Sequence, residues 1–222
     1  MSKELQLIFD WSEAWALLIP LLALTHSGKQ PPFLKPVIVY LWLALLLNVT
    51  GDVIADFKKY FSSWPQSNTP LYNIHSIIRF TCFCYFFMLL KQPYFLQLKK
   101  ILPLISLLFI LINFGFFENF FNVDSLSGNL LSAEAYLLLI YCMLYYLAQL
   151  RDETDVIPRG PDFWVVTGLS IYVVINFFVF LFYVPMIQEN SELADNMWSV
   201  HNVAYIILCI FIAKAFYAPV SN

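Results

Sequence analysis

Long apolar runs alternate with short polar breaks along this chain, and the runs share one length. A helix crossing the hydrocarbon core of a bilayer needs about 20 mainly apolar residues. Seven stretches fit: Phe9–Thr25, Pro36–Ala55, Leu71–Leu90, Ile101–Phe117, Leu130–Leu150, Phe163–Ile187 and Met197–Tyr217. Proline and small polar residues cluster in the breaks, at Ser27–Pro32, Ser62–Pro70, Asp124–Asn129 and Pro158–Pro161, as turn-forming residues do. The pattern predicts one all-α domain over residues 1–222, a bundle of seven transmembrane helices. The breaks are too short to hold an inserted soluble domain. No internal repeat is visible, which argues against a transporter built from duplicated halves.

Composition points the same way. Of 222 residues, 60% are hydrophobic, 18% aromatic and only 12% charged. A soluble domain carries about 25% charged residues, so lipid is the expected solvent and the inner (cytoplasmic) membrane the expected location. The net charge of -3 comes with no basic tract, which excludes nucleic acid as a partner. The start of the chain carries Lys3, Glu4, Asp10 and Glu13, unlike the uncharged core of a cleavable signal peptide. Cys82, Cys84, Cys142 and Cys209 lie inside apolar runs and read as small buried hydrophobes. Cys82 and Cys84 point about 200° apart on a helix and would not share a metal.

Lysine and arginine set the expected orientation, because cytoplasmic loops are enriched in them. Lys29, Lys35, Lys91, Lys99, Lys100, Arg151, Arg159 and Lys214 fall on one side, and Lys3, Lys58 and Lys59 on the other. The richer side should be cytoplasmic, which puts the N-terminus outside and the C-terminus inside. Acidic residues, including Glu4, Asp10, Glu13, Asp56 and Glu118, gather outside.

Against this background the polar residues inside the runs stand out. Asn48, Asp52 and Asp56 are spaced i, i+4, i+8 in the second run, and His75 and Arg79 i, i+4 in the third. Each set shares a helix face. Glu134, Asn176, His201 and Asn202 fall near the same end of the bundle. Ionisable groups in hydrocarbon are costly and by default face a cavity or one another. Asp52, His75, Arg79, Glu134, Asn176, His201 and Asn202 are therefore the candidate ligand-binding residues, expected to converge on one outward-facing pocket. Arg79 requires an anion. Asp52 is the nearest candidate in sequence and Glu134 the other; the alternative is that Arg79 grips an anionic ligand group in its planar fork. Glu134 also admits a plainer role beside a helix N-terminus, and Asn176 reads as an interhelical hydrogen-bonding residue.

Several chemistries suit such a set. No cofactor is demanded, but Asp52, His75 and His201, with Asp56 or Glu134, could hold a divalent metal; no HxxxH or HExxH spacing supports it. A serine hydrolase would need a nucleophile beside a histidine. Ser76, Ser132 and Ser199 lie at suitable depth, yet the chain has no GxSxG. A proton-coupled carrier would use the same carboxylates as a relay. Retinal is disfavoured, since Lys214 sits near a helix end where it can snorkel. His26, at the other end of the first run, is expected to face solvent. The aromatic third and sixth runs could line an apolar pocket beneath the polar cluster.

Four segments read as one set: Pro70-Leu-Tyr-Asn-Ile-His75-Ser-Ile-Ile-Arg79, Leu131-Ser-Ala-Glu134, Pro161-Asp-Phe-Trp164 with Gly168, and Trp198-Ser-Val-His201-Asn202. With them the chain resembles a large group of small bacterial seven-helix membrane proteins without an assigned activity. The resemblance covers almost the whole chain and implies a sensory role beside histidine kinases. A fainter likeness is to lysoplasmalogenase-like membrane hydrolases, carried by Lys35-Pro36, Gly51-Asp52 and His75; the eighth helix of that group has no counterpart among the seven runs. The leading expectation is a receptor-like or sensor-like protein that binds a small molecule or lipid from the outer side. Without an output domain of its own, it would signal through a separate protein. The alternative is a membrane-embedded, metal-dependent or metal-free lipid hydrolase.

Overall fold

The structure is a computed structural model that describes residues 9–57, 67–90, 95–123, 125–151, 160–189 and 191–219, and the side chains of these except residues 188 and 191. The described residues are helical with no strand. Helix α1 (Ser12–Trp15) and helix α2 (Leu18–His26) are two halves of one rod, broken at Ala16 and Leu17. Pro20 explains the break. Its nitrogen carries no proton, and its ring clashes with the carbonyl four residues back, which is that of Ala16. That carbonyl instead takes the amide of Ile19, at 3.1 Å. A turn at Pro32–Leu34 leads into α3 (Lys35–Phe57), followed by α4 (Thr69–Leu89) and α5 (Leu96–Ile112). Helix α5 continues as a wider π turn at Asn113–Phe117. Helices α6 (Gly128–Arg151), α7 (Pro161–Glu189) and α8 (Ser191–Tyr217) complete the chain.

The seven rods coincide with the seven predicted runs, with shifted ends. Helix α5 starts at Leu96, so Lys99 and Lys100 belong to a helix and not to a loop, and Lys99 is buried. Helix α8 starts at Ser191, so Trp198 and His201 lie well inside it and not at its opening. Lys3, Lys58, Lys59, Lys91 and Arg159, on which the orientation partly rests, lie outside the described residues.

Five rods are long and apolar enough to cross a membrane: Pro32–Phe57, Leu96–Phe117, Gly128–Arg151, Pro161–Ile187 and Glu192–Tyr217. The outer surface fits lipid. Leu22, Leu46, Leu104, Leu108, Leu111, Phe116 and Leu150 are exposed, far more contiguous apolar surface than a soluble monomer shows. One core draws on every rod, through Leu21, Tyr40, Phe83, Leu102, Tyr141, Leu169 and Leu208. The closest approach is between α7 and α8, where a Cβ added to Gly168 would lie 2.4 Å from the Cβ of Phe211. Small residues permit such contacts, which supply much of the packing attraction between helices in lipid. The four cysteines are free, and three are buried, as expected of apolar fillers.

Candidate functional site

Polar residues enter the bundle along several helices, and their spacing decides which ones meet. His75 and Arg79, one turn apart, are both buried on the inner face of α4. Arg79 meets Glu134 of α6. Its Nε lies 2.5 Å from Oε1 and its terminal nitrogen 2.7 Å from Oε2, while Ser76 Oγ donates to Oε2 at 2.5 Å. Both charged side chains are about 95% buried. The guanidinium also lies over the Tyr172 ring of α7, 5.1 Å from its centroid. This side-on, two-bond pairing neutralises both charges where water is scarce. Of the two anions proposed for Arg79, Glu134 is the partner and Asp52 is not. Asp52 is half-buried among the acids Glu13, Asp56 and Asp10, because the drift of α3 turns that face towards the first rod. Glu134 lies in the second turn of α6, past the capping positions.

Nearer the same end of the bundle, His201 of α8 forms a second polar cluster. Its Nδ1 lies 2.5 Å from Asn176 Oδ1, and its Nε2 faces Glu13 Oε1 at 3.4 Å. Asn176 also returns its Nδ2 to the Tyr172 carbonyl, at 2.8 Å, so it bridges α7 and α8 as expected. The first rod is held by side chains of its neighbours. Asn48 Nδ2 donates to the Glu13 carbonyl at 3.1 Å, Asn202 Nδ2 to that of Phe9 at 3.3 Å, and Trp11 Nε1 to Asp56 at 3.0 Å.

Aromatic rings join the two clusters. Tyr40 stacks on His75 with centroids 5.8 Å apart, and its hydroxyl meets that of Tyr205 at 3.2 Å. Tyr205 lies edge-on to His75 and stacks with His201, and Tyr172 packs on both Tyr205 and His201. Within this interior, His75 Nε2, Tyr172 OH, Asn202 Oδ1 and Ser12 Oγ are buried without a protein partner, as is Asp52 Oδ2 at its acidic rim. Such orphaned groups each cost about 1–3 kcal/mol when left unsatisfied. A cavity of about 10 Å³ beside Asn48, Gly51, Tyr72 and His75 has room for about one water.

The expected residues therefore do not all converge on one point. Arg79 and Glu134 pair, Asn176 and His201 pair, and His75 stands between them on the tyrosines. Asn202 ties down the first rod, and Asp52 sits apart at the acidic rim. Among the described residues, no three His, Cys, Asp or Glu side chains gather as metal ligands. Ser76 is committed to Glu134, and no serine among the described residues bonds to His75 or His201. His26 is exposed, and Lys214 lies over the Trp164 ring, 3.5 Å from its centroid. Sequence reasoning missed Glu13, Tyr40 and Tyr205. Glu13 was counted with the exterior acids, although its place inside the first predicted span was a signal of burial. No family model matches the chain, and no curated protein or solved structure matches it either.

Proposed function

We propose that the chain is a sensor-like integral membrane protein. It crosses the membrane seven times with its N-terminus outside. Its polar interior binds a small molecule or an amphipathic lipid-like ligand from the outer side, and a separate protein carries the signal. The observation that supports this reading is the set of buried, partnerless polar atoms near the two polar clusters, above all His75 Nε2 and Tyr172 OH. They present one ring nitrogen and one hydroxyl to the same interior. A ligand with matching hydrogen-bonding groups would relieve both penalties at once.

The cavity beside His75 has room for about one water in this conformation. A larger ligand would enter by displacing the first rod, whose outer turn is held by hydrogen bonds donated from Asn48 and Asn202, by the one its own Trp11 donates to Asp56, and by the contact of Glu13 with His201. Ligand binding would thereby couple to a rod displacement, which is what a sensor needs.

The test is an experimental density map of the protein purified in lipid nanodiscs, with mass spectrometry of small molecules released on denaturation. The expected result is a non-protein group touching His75 and Tyr172, and a released compound that His75→Ala no longer retains. Ordered water alone at both atoms, with nothing released, would sink the reading. Metal analysis of the same sample addresses the metal-dependent form of the hydrolase alternative, which predicts a stoichiometric divalent ion.

A further inference from the structure

Helix α5 is the least enclosed of the five membrane-capable rods. Only 17% of its most apolar window is buried, against 39% or more in each of the others. Between its end, the start of α6 and the outer part of α7 lies a lateral groove of about 550 Å³. The π turn shapes its upper rim. The Glu118 amide reaches back five residues to the Asn113 carbonyl at 2.8 Å. That wide turn sets the two side chains together, with Asn113 Nδ2 donating to Glu118 Oε2 at 2.7 Å. Ser127 Oγ donates to the same carboxylate, and the Asn129 amide donates to Oε1 at 3.2 Å. These donors are all neutral, and among the described residues no cation forms an ion pair with Glu118. The rim therefore holds a positioned negative charge. Below it the walls turn apolar, with Phe109, Phe180 and Leu181, and the groove is flanked by the exposed apolar side chains of Ile112, Phe117 and Leu181.

We propose that this groove binds a phospholipid with a primary-amine headgroup, of the phosphatidylethanolamine type. The ammonium donates to Glu118, and one acyl chain lies along Phe109, Phe180 and Leu181. Three features select this occupant. The opening is flanked by exposed apolar side chains, which favours a bilayer component. The charge at the rim is negative, which disfavours an anionic headgroup. The carboxylate sits in a polar notch that rewards N–H donors, which ethanolamine has and choline lacks. The site is separate from the polar interior, and the proposal does not depend on what occupies that interior.

The test uses the full chain in nanodiscs of equal phosphatidylethanolamine, phosphatidylglycerol and phosphatidylcholine, with native mass spectrometry of the lipid retained after mild detergent release. Phosphatidylethanolamine should be enriched about five-fold over either competitor, the ratio that an ion pair of about 1 kcal/mol gives. Glu118→Gln should bring the three lipids to near parity. Leu181→Trp, at a lipid-exposed position that tolerates bulk, should abolish retention and leave the thermal melt unchanged. If Glu118→Gln does not fold, the parent's headgroup ratio and Leu181→Trp decide alone. Equal retention of the three lipids by the parent protein overturns the proposal. So does a preference for phosphatidylglycerol or phosphatidylcholine, or retention indifferent to Leu181→Trp.

Discussion

Arg79 is a cation in a bundle interior, and its surroundings leave it little freedom. Glu134 neutralises it, Ser76 completes the carboxylate's shell, and the Tyr172 face covers the guanidinium. Removing one member strands the other in low dielectric, which typically costs about 3–5 kcal/mol. Arg79→Ala and Glu134→Gln should each lower the melting temperature clearly. Arg79→Lys should recover only part, because an ammonium cannot make the parallel two-bond contact. The double change Arg79→Met with Glu134→Leu should melt closer to the parent than either single change. Detergent-solubilised melts of the series check this, and additive losses would argue against coupling. The need for a counter-ion was legible in the sequence; its identity was not. Asp52 and Glu134 lie at similar depth, and depth can be counted along a helix, whereas the rotation that turns Asp52 towards the first rod depends on packing.

At the scale of elements, prolines decide where helices bend and which carbonyls need new partners. Pro103 lies inside α5 and cannot donate to the carbonyl of Lys99. Tyr141 of α6 supplies the donor, its hydroxyl 2.6 Å from that oxygen. In lipid such a freed backbone group has no water to turn to. Tyr141→Phe should therefore destabilise by about 1–3 kcal/mol, the cost of an orphaned buried acceptor. In a Pro103→Ala background, where the regained backbone N–H can restore the helical bond, the same change should cost much less. Four melts form the cycle, and an equal cost in both backgrounds would refute the pairing. The apolar runs foretold where the rods lie, because length and hydropathy are local. The break at Ala16 is not visible in hydropathy, because Pro20 falls in the middle of the apolar run Phe9–Thr25 and acts only through the backbone bond it removes. The early start of α8 at Ser191 lies in a polar stretch that hydropathy does not register.

For the whole molecule, the proposed topology follows from the uneven distribution of lysine and arginine. In intact cells, a cysteine at Ser125 should react with an impermeant thiol reagent, and one at Ser27 only after permeabilisation. The reverse pattern would invert the molecule and move the polar interior to the cytoplasmic side. The bundle was readable because lipid imposes one length on every span, and the shared end of the polar residues was readable for the same reason. The tyrosine bridge through Tyr40 and Tyr205 was not, since a tyrosine in an apolar run looks like any other aromatic. One further consequence attaches to α5. Most of its apolar window is not buried in the bundle, and in a bilayer such a rod takes part of its tilt from membrane thickness. The width of the groove beside it is then partly a property of the membrane, and stretching or thinning the bilayer would act on that groove as mechanical work.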